Sequence, residues 1–415
     1  MRFFNLCSSL YDSPCTSCVS GHKPGFEMIS THPGYYWRLA GFYFFYFAFV
    51  GTFSPYWSLY LKSIEFDAVQ IGILMSVQPV MRMLSPALWG WLADRAGNRR
   101  RVVRVAAFGS ALCYLGVFFT KDYYSLLLVM ALMNFFWSAS MPLVEATTLT
   151  YLGKNAARYG RLRSWGSVGF IIAVLGLGYA FDYISISWIL WAGLLVQLGI
   201  VYFSRQIPST EVIAHHTDSH PIMRIVMQPQ VLALFGACFL MAVAHGPYYT
   251  FFSIYLVEHG YAKSAVGALW TLGVVCEIGV FFVMPWLMRH YSLPHMLMVS
   301  LALAVLRFLL IGWQVDTLWL LLFAQMLHAA TFGSFHAAAV ALVHHFFRGR
   351  HQSRGQALFG SVTYGAGGML GGLLSGPLWL HWGASAMYSF SAGAALLGLA
   401  LMWWKLGRVV IAEGP

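Results

Sequence analysis

The chain has 415 residues, of which 59% are hydrophobic, 17% aromatic and only 9% charged. A soluble domain needs about 25% charged residues to keep its surface hydrated, so a soluble globular fold is excluded and the bilayer is the main solvent. The 25 Lys and Arg against 14 Asp and Glu give +11; in a soluble protein this would suggest a nucleic-acid partner, but in a membrane chain basic residues first set orientation.

Residues 1–30 are polar, with Cys7, Cys15 and Cys18 among them, and carry neither the apolar run nor the charged lead of a signal peptide. Met28 stands just ahead of the first apolar segment and is the expected true start, which would leave 1–27 outside the native protein. The Cys15–Cys18 pair has no second Cys or His pair near it, so no metal site is expected, and no cofactor.

Twelve apolar stretches follow, each near the roughly 20 residues that span a bilayer as a helix: 38–61, 70–93, 101–120, 124–150, 162–181, 184–203, 230–257, 265–288, 293–313, 317–345, 355–379 and 384–405. The expected class is therefore an all-α integral membrane protein of twelve helices. Its parts are an N-terminal tail (1–37), a six-helix bundle (38–203), a linker (204–229), a second six-helix bundle (230–405) and a C-terminal tail (406–415). The linker is rich in Pro and holds His215, His216 and His220.

Placing the charges gives the orientation. One set of loops holds 15 basic residues, among them Arg95, Arg99, Arg100, Arg101 and Arg104, then Arg158, Arg161 and Arg163; the opposite loops hold 3, namely Lys62, Lys121 and Lys263. The tails raise the first group to 20. Both termini are expected to be cytoplasmic, and the nucleic-acid reading lapses.

The halves repeat. Tyr60-Leu61, nine residues, then Ile71-Gly72 recurs as Tyr255-Leu256, nine residues, then Val266-Gly267, at an offset of 195; Trp165-Gly166-Ser167-Val168 recurs as Phe359-Gly360-Ser361-Val362 at 194. Duplicated bundles of this kind are related by an axis along the membrane normal and can rock about a central cavity.

Few ionisable groups lie inside the spans: Arg82, Glu145, His245, Glu277, Arg307, His328 and His336, with Arg163 opening the fifth. Such groups face a cavity or a partner because hydrocarbon cannot solvate them. Arg82 and Glu277 occupy equivalent places in the two halves, so a structural ion pair between them is one reading. The aromatic residues Tyr43, Tyr46, Phe53, Tyr56, Tyr248, Tyr249 and Phe252 either line a pocket or fill the bundles. An intramembrane enzyme would need a nucleophile with its base, or H-E-x-x-H; His344-His345 is adjacent, not spaced by four, so no enzyme is expected.

The loop Gly90-Trp91-Leu92-Ala93-Asp94-Arg95-Ala96-Gly97-Asn98-Arg99-Arg100 reads G-x-x-x-D-R-x-G-x-R-R. It resembles the signature loop of the major facilitator superfamily, in which Gly90 would permit close helix contact and Asp94, Arg95, Gly97 and Arg99 would latch one state. After the eighth span, Pro285 to His290 has lost the acid.

Within that superfamily the chain resembles the lactose permease and, better, the phenylpropionate permease branches. Glu145, in Val144-Glu145-Ala146, and Arg163, in Gly160-Arg161-Leu162-Arg163, match the sugar-binding pair of the former, with Phe170 at its stacking aromatic. Glu277, Arg307 and His328 match its proton-coupling cluster, although Thr331 stands where that family has an acid. Tyr159 to Phe170, Ala244 to Val283 and Ala324 to Ala339, with both His328 and His336, resemble the phenylpropionate branch.

The resemblance implies a proton-coupled importer of the bacterial inner membrane, acting as a monomer on a small solute, with an aromatic carboxylate such as 3-phenylpropionate preferred. Glu145, Arg163, Phe170, His245, Tyr249 and His336 are the expected substrate contacts, and protons pass by Glu277, Arg307 and His328. A sugar or nucleoside symporter is the alternative; an exporter or a non-transporting sensor of the same fold comes after it.

Overall fold

The computed structural model describes residues 33–153, 158–208 and 222–407. The Met28 start, the first three cysteines, the linker histidines, most of the tails and half of the linker lie outside the described residues. Twelve membrane helices account for nearly all of the remainder: α1 Pro33–Ser63, α2 Ala68–Ala96, α3 Arg99–Leu115, α4 Tyr123–Leu152, α5 Tyr159–Tyr183, α6 Ile189–Ser204, α7 Pro229–Glu258, α8 Lys263–His290, α9 Leu293–Trp313, α10 Leu318–Phe346, α11 352–382 and α12 384–402. The N-termini of α2 and α8 differ by the 195 residues of the sequence repeat.

Several boundaries lie outside the apolar windows because caps, not hydropathy, end the helices. Asp67 and Gln70 form a reciprocal capping box at the start of α2, with hydrogen bonds of 2.8 and 3.1 Å. Gly97, at φ 62°, closes that helix in the left-handed conformation, and Asn98 accepts from the Arg101 amide at 3.0 Å to begin α3. Asp122 caps α4 through Ser125, and that hydrogen bond holds its carboxyl below the usual carboxylate range. Helix α1 begins at Pro33, inside the expected tail; the expected linker loses Ser204 to α6 and Pro229 to α7, and contains one helical turn, Met223–Val226.

Two helices depart from regular winding. Helix α10 carries a π-helical turn at Ala329–Ser334 and α11 another at Ser361–Gly367; wide turns of this kind cluster at functional sites. Between α11 and α12 the chain reverses at Gly383 alone, with φ 78° and ψ 177°, a conformation that a side chain would strain.

The exterior is apolar: Phe108, Leu112, Leu128, Leu195, Phe282 and Trp319, among others, are exposed, as a lipid-facing surface requires. Inside, α1 packs on α5 and α6, α2 and α3 on α4, and α7 and α9 on α11 and α12; the halves meet along α2–α11 and α5–α8.

That meeting is closest at the end opposite the arginine-rich loops. A β-carbon on Gly376 of α11 would stand 2.5 Å from the Ala68 carbonyl of α2. A β-carbon on Gly267 of α8 would stand 2.6 Å from the Tyr56 hydroxyl of α1, Lys62 pairs with Glu258, and Asp182 of α5 accepts from the Lys263 and Ser264 amides of α8 at 2.8 and 3.3 Å. Toward the arginine-rich end the polar side chains of Arg82, Glu145, Arg163, Glu277 and His336 keep partial exposure although they lie on the spans. The cavity between the bundles therefore opens toward that end.

Candidate functional site

The N-terminal wall of the cavity is built on α1, α4 and α5. Arg163 lies one turn after Tyr159 on the same face of α5, and both reach Glu145 of α4. The Tyr159 hydroxyl donates to Glu145 Oε1 at 3.1 Å, and Arg163 Nε is 3.9 Å from the same oxygen. The pair is loose and open, with Arg163 32% and Glu145 38% exposed. The Arg163 guanidinium lies 3.8 Å from the Phe47 ring centroid, and a second cation, Arg82 of α2, is exposed and lies 5.6 Å from that of Trp137.

The C-terminal wall is built on α7 to α11. Glu277 of α8 is half-buried and its Oε2 lies 3.8 Å from His328 Nε2. The ring of His328 stacks on Phe332 at 5.3 Å, and His336, one turn further, meets the Tyr364 hydroxyl at 2.6 Å through Nδ1. His328 and His336 flank the π-helical turn of α10, while Phe332 and Tyr364 lie within the π-helical turns of α10 and α11.

Behind this wall lies Arg307, wholly buried. It donates to His245 Nε2 at 3.2 Å, to the Ala324 carbonyl at 3.1 Å and to the Thr331 hydroxyl at 3.3 Å, and lies over Tyr248 at 4.3 Å. Tyr248 in turn donates to Gln325 at 3.0 Å.

The structure therefore brings together Glu145 with Arg163, and Glu277 with His328, but separates other expected neighbours. Arg307 is joined to His245 and not to Glu277. Among the described residues neither Arg82 nor Arg307 makes an ion pair with a carboxylate, so the Arg82–Glu277 pair is not formed. His245, expected at the substrate, has both ring nitrogens engaged, with Met241 and Arg307. Phe170 is buried in the α1–α5 seam, its backbone against Gly51. The aromatic set mostly fills the bundles: Tyr43, Tyr46, Phe53, Tyr56, Tyr248 and Phe252 are buried, and Tyr249 alone of the seven is half-buried.

The signature loop is also placed differently. Gly90 has open space where a β-carbon would stand, so it mediates no close helix contact in this state. Asp94 and Arg95 are exposed, with Arg95 over Trp91 at 5.5 Å, and Arg99 is half-buried. Sequence reasoning missed Tyr159 and Tyr364; the first had a signal in its one-turn spacing from Arg163, the second had none.

A model of the MFS_1 like family matches residues 36–391. The chain is 31% identical over 376 residues to the "Probable 3-phenylpropionic acid transporter" of Escherichia coli (strain K12), covering 89% of this chain and 96% of that protein. It is 24% identical to the maltose permease of Geobacillus stearothermophilus, covering 87% and 92%. Among solved structures it is similar to a mutant of the nucleoside transporter NupG, with a TM-score of 0.79 at 17% identity, covering 89% of this chain and 99% of that one.

Proposed function

The chain belongs to the MFS_1 like family of major facilitator transporters, and from that membership we propose that it imports a small aromatic carboxylate together with protons. The protein is a multi-pass membrane transporter and not an enzyme. We place it in the bacterial inner membrane as a monomer, with both termini and the open end of the cavity on the cytoplasmic side, as its arginine-rich loops favour.

The observation that carries the substrate class is the pair of cations facing the cavity. Arg163 and Arg82 each lie on an aromatic ring and hold unused donors, while Glu145 engages Arg163 only at 3.9 Å. A carboxylate can displace Glu145 from a fork of this kind, because guanidinium binds it with two parallel hydrogen bonds, and a ring can lie against Phe47 or Tyr249. The relative of 31% identity, named for 3-phenylpropionic acid, supports the same choice.

For coupling we assign the proton to Glu277 with His328 beside it. Arg307 then acts behind them, fixing α7, α9 and α10 through His245, Ala324 and Thr331, and Thr331 takes the guanidinium bond that an acid would otherwise take. Uptake of labelled 3-phenylpropionate into vesicles, with and without an imposed proton gradient, tests both parts. Accumulation only with the gradient is expected; no uptake under either condition rejects the substrate class.

A sugar or nucleoside symporter is the second reading. It rests on the Tyr159–Glu145–Arg163 group, whose mixed donors and acceptors also suit hydroxyls, and on the maltose permease relative.

A further inference from the structure

Away from the cavity, the arginine-rich ends of α3 and α6 meet around three cations. Nη2 of Arg100 and Nη2 of Arg104 both donate to the Arg205 carbonyl, at 2.9 and 2.5 Å. The free carbonyl end of α6 thereby holds two guanidiniums in fixed positions. Nε of Arg100 and Nε of Arg104 are buried without a hydrogen-bond partner among the described residues. None of the three arginines has a carboxylate within ion-pair distance among those residues. Like charges gathered with unused donors at a membrane surface are unfavourable unless an anion joins them.

The same place has an apolar half. A cleft of about 430 Å³ is lined by Arg104, Val105, Phe108, Val201, Ser204 and Arg205. Val105 and Phe108 are 52% and 56% exposed on the outer face of α3, and Phe108 lies one turn, about 6 Å, deeper along the helix than Arg104. The cleft thus runs from a cationic mouth at loop level to an apolar trough on the lipid-facing surface.

We propose that this cleft binds an anionic phospholipid, with its phosphate on Arg100, Arg104 and Arg205 and an acyl chain along Val105, Phe108 and Val201. Basic pockets between membrane helices recognise lipid headgroups through this combination of charge and depth. The trough selects a lipid over a soluble phosphate, because only an acylated ligand fills both halves.

The test uses the full chain in mixed micelles carrying phosphatidylglycerol or phosphatidylcholine, read by native mass spectrometry for retained lipid and by thermal unfolding. Phosphatidylglycerol is expected to be retained in preference, with each arginine removed weakening retention on the order of fivefold. Arg100→Gln and Arg104→Gln also disturb the α6 end, so the decisive variant is Arg205→Glu. It leaves the backbone carbonyl in place and offers the other two arginines an internal carboxylate; the phosphatidylglycerol preference should vanish while the fold persists. Equal retention of the two lipids, or an unchanged preference in Arg205→Glu, overturns the proposal. So does soluble glycerol phosphate stabilising the protein as much as phosphatidylglycerol, since the trough then contributes nothing.

Discussion

Arg307 donates from Nη1 to His245 Nε2 at 3.2 Å, while His245 Nδ1 lies 2.9 Å from the Met241 carbonyl. A carbonyl only accepts and a guanidinium only donates, so the ring is fixed as the neutral tautomer with its hydrogen on Nδ1. Protonating Nε2 would set two donors face to face. His245 is therefore an acceptor that holds a buried cation, and not a proton carrier. His245→Phe should lower stability by about 2–3 kcal/mol through the stranded donor, and His245→Gln should recover part of it. Thermal unfolding in detergent decides; equal midpoints for wild type and His245→Phe reject the role.

Glu277→Gln removes the ionisable partner of His328 and keeps the shape of the side chain. Gradient-driven accumulation should disappear while counterflow exchange of the substrate continues. Wild-type accumulation in this variant would remove Glu277 from coupling.

Arg163→Ala should weaken substrate binding by 10- to 100-fold, the scale of a hydrogen bond to a charged group. Arg163→Lys keeps the charge but loses the planar fork, so its dissociation constant should fall between the two. An unchanged constant for the alanine variant in equilibrium binding excludes Arg163 from the site.

Asp182 caps the first turn of α8 from the opposite bundle, and Ala262 at the cap position of α8 itself offers no side-chain acceptor. Losing a cap costs about 1 kcal/mol, here charged only to the arrangement in which the bundles touch at that end. Asp182→Ala should raise the population open at that end roughly fivefold. A cysteine introduced at Thr271, buried on α8 about two turns in from the cap, in a background without other cysteines, would report it by faster labelling from outside; unchanged labelling rejects the cap as a gate element.

Two glycines should behave in opposite ways. A β-carbon on Gly169 would stand 2.1 Å from the Phe44 carbonyl across the α1–α5 seam, whereas one on Gly90 meets nothing within 4 Å. Gly169→Val should impair folding, and Gly90→Ala should leave stability unchanged or raise it by up to about 1 kcal/mol through helix propensity. Expression level and unfolding midpoint measure both; destabilisation by Gly90→Ala would indicate a contact made at the resting state of the loop.

The twelve crossings were legible because hydrocarbon leaves a long apolar run no alternative to a helix. The break after 379 was placed within a few residues of Gly383 for the same reason. The Glu145–Arg163 group was legible from spacing and resemblance, since the two lie on consecutive helices joined by a short loop. Arg307 with His245 was not: they are 62 positions apart on α7 and α9, and a list of intramembrane charges does not say which faces which. Gly90 was legible as part of a motif, but which helix it would meet is not written in the loop itself, and the structure leaves open space there.

The closest meeting of the bundles lies near Asp182 and Gly376, far from the helix midpoints. Helix α5, with 25 residues, is about 37 Å long. Held near Asp182, it works as a lever whose short arm is the cap and whose long arm carries Arg163 and Tyr159. A tilt of about 10° at that fulcrum sweeps the far end through roughly 6 Å. Arg163 rides on that long arm, so its reach toward the opposite wall answers to contacts about 30 Å away.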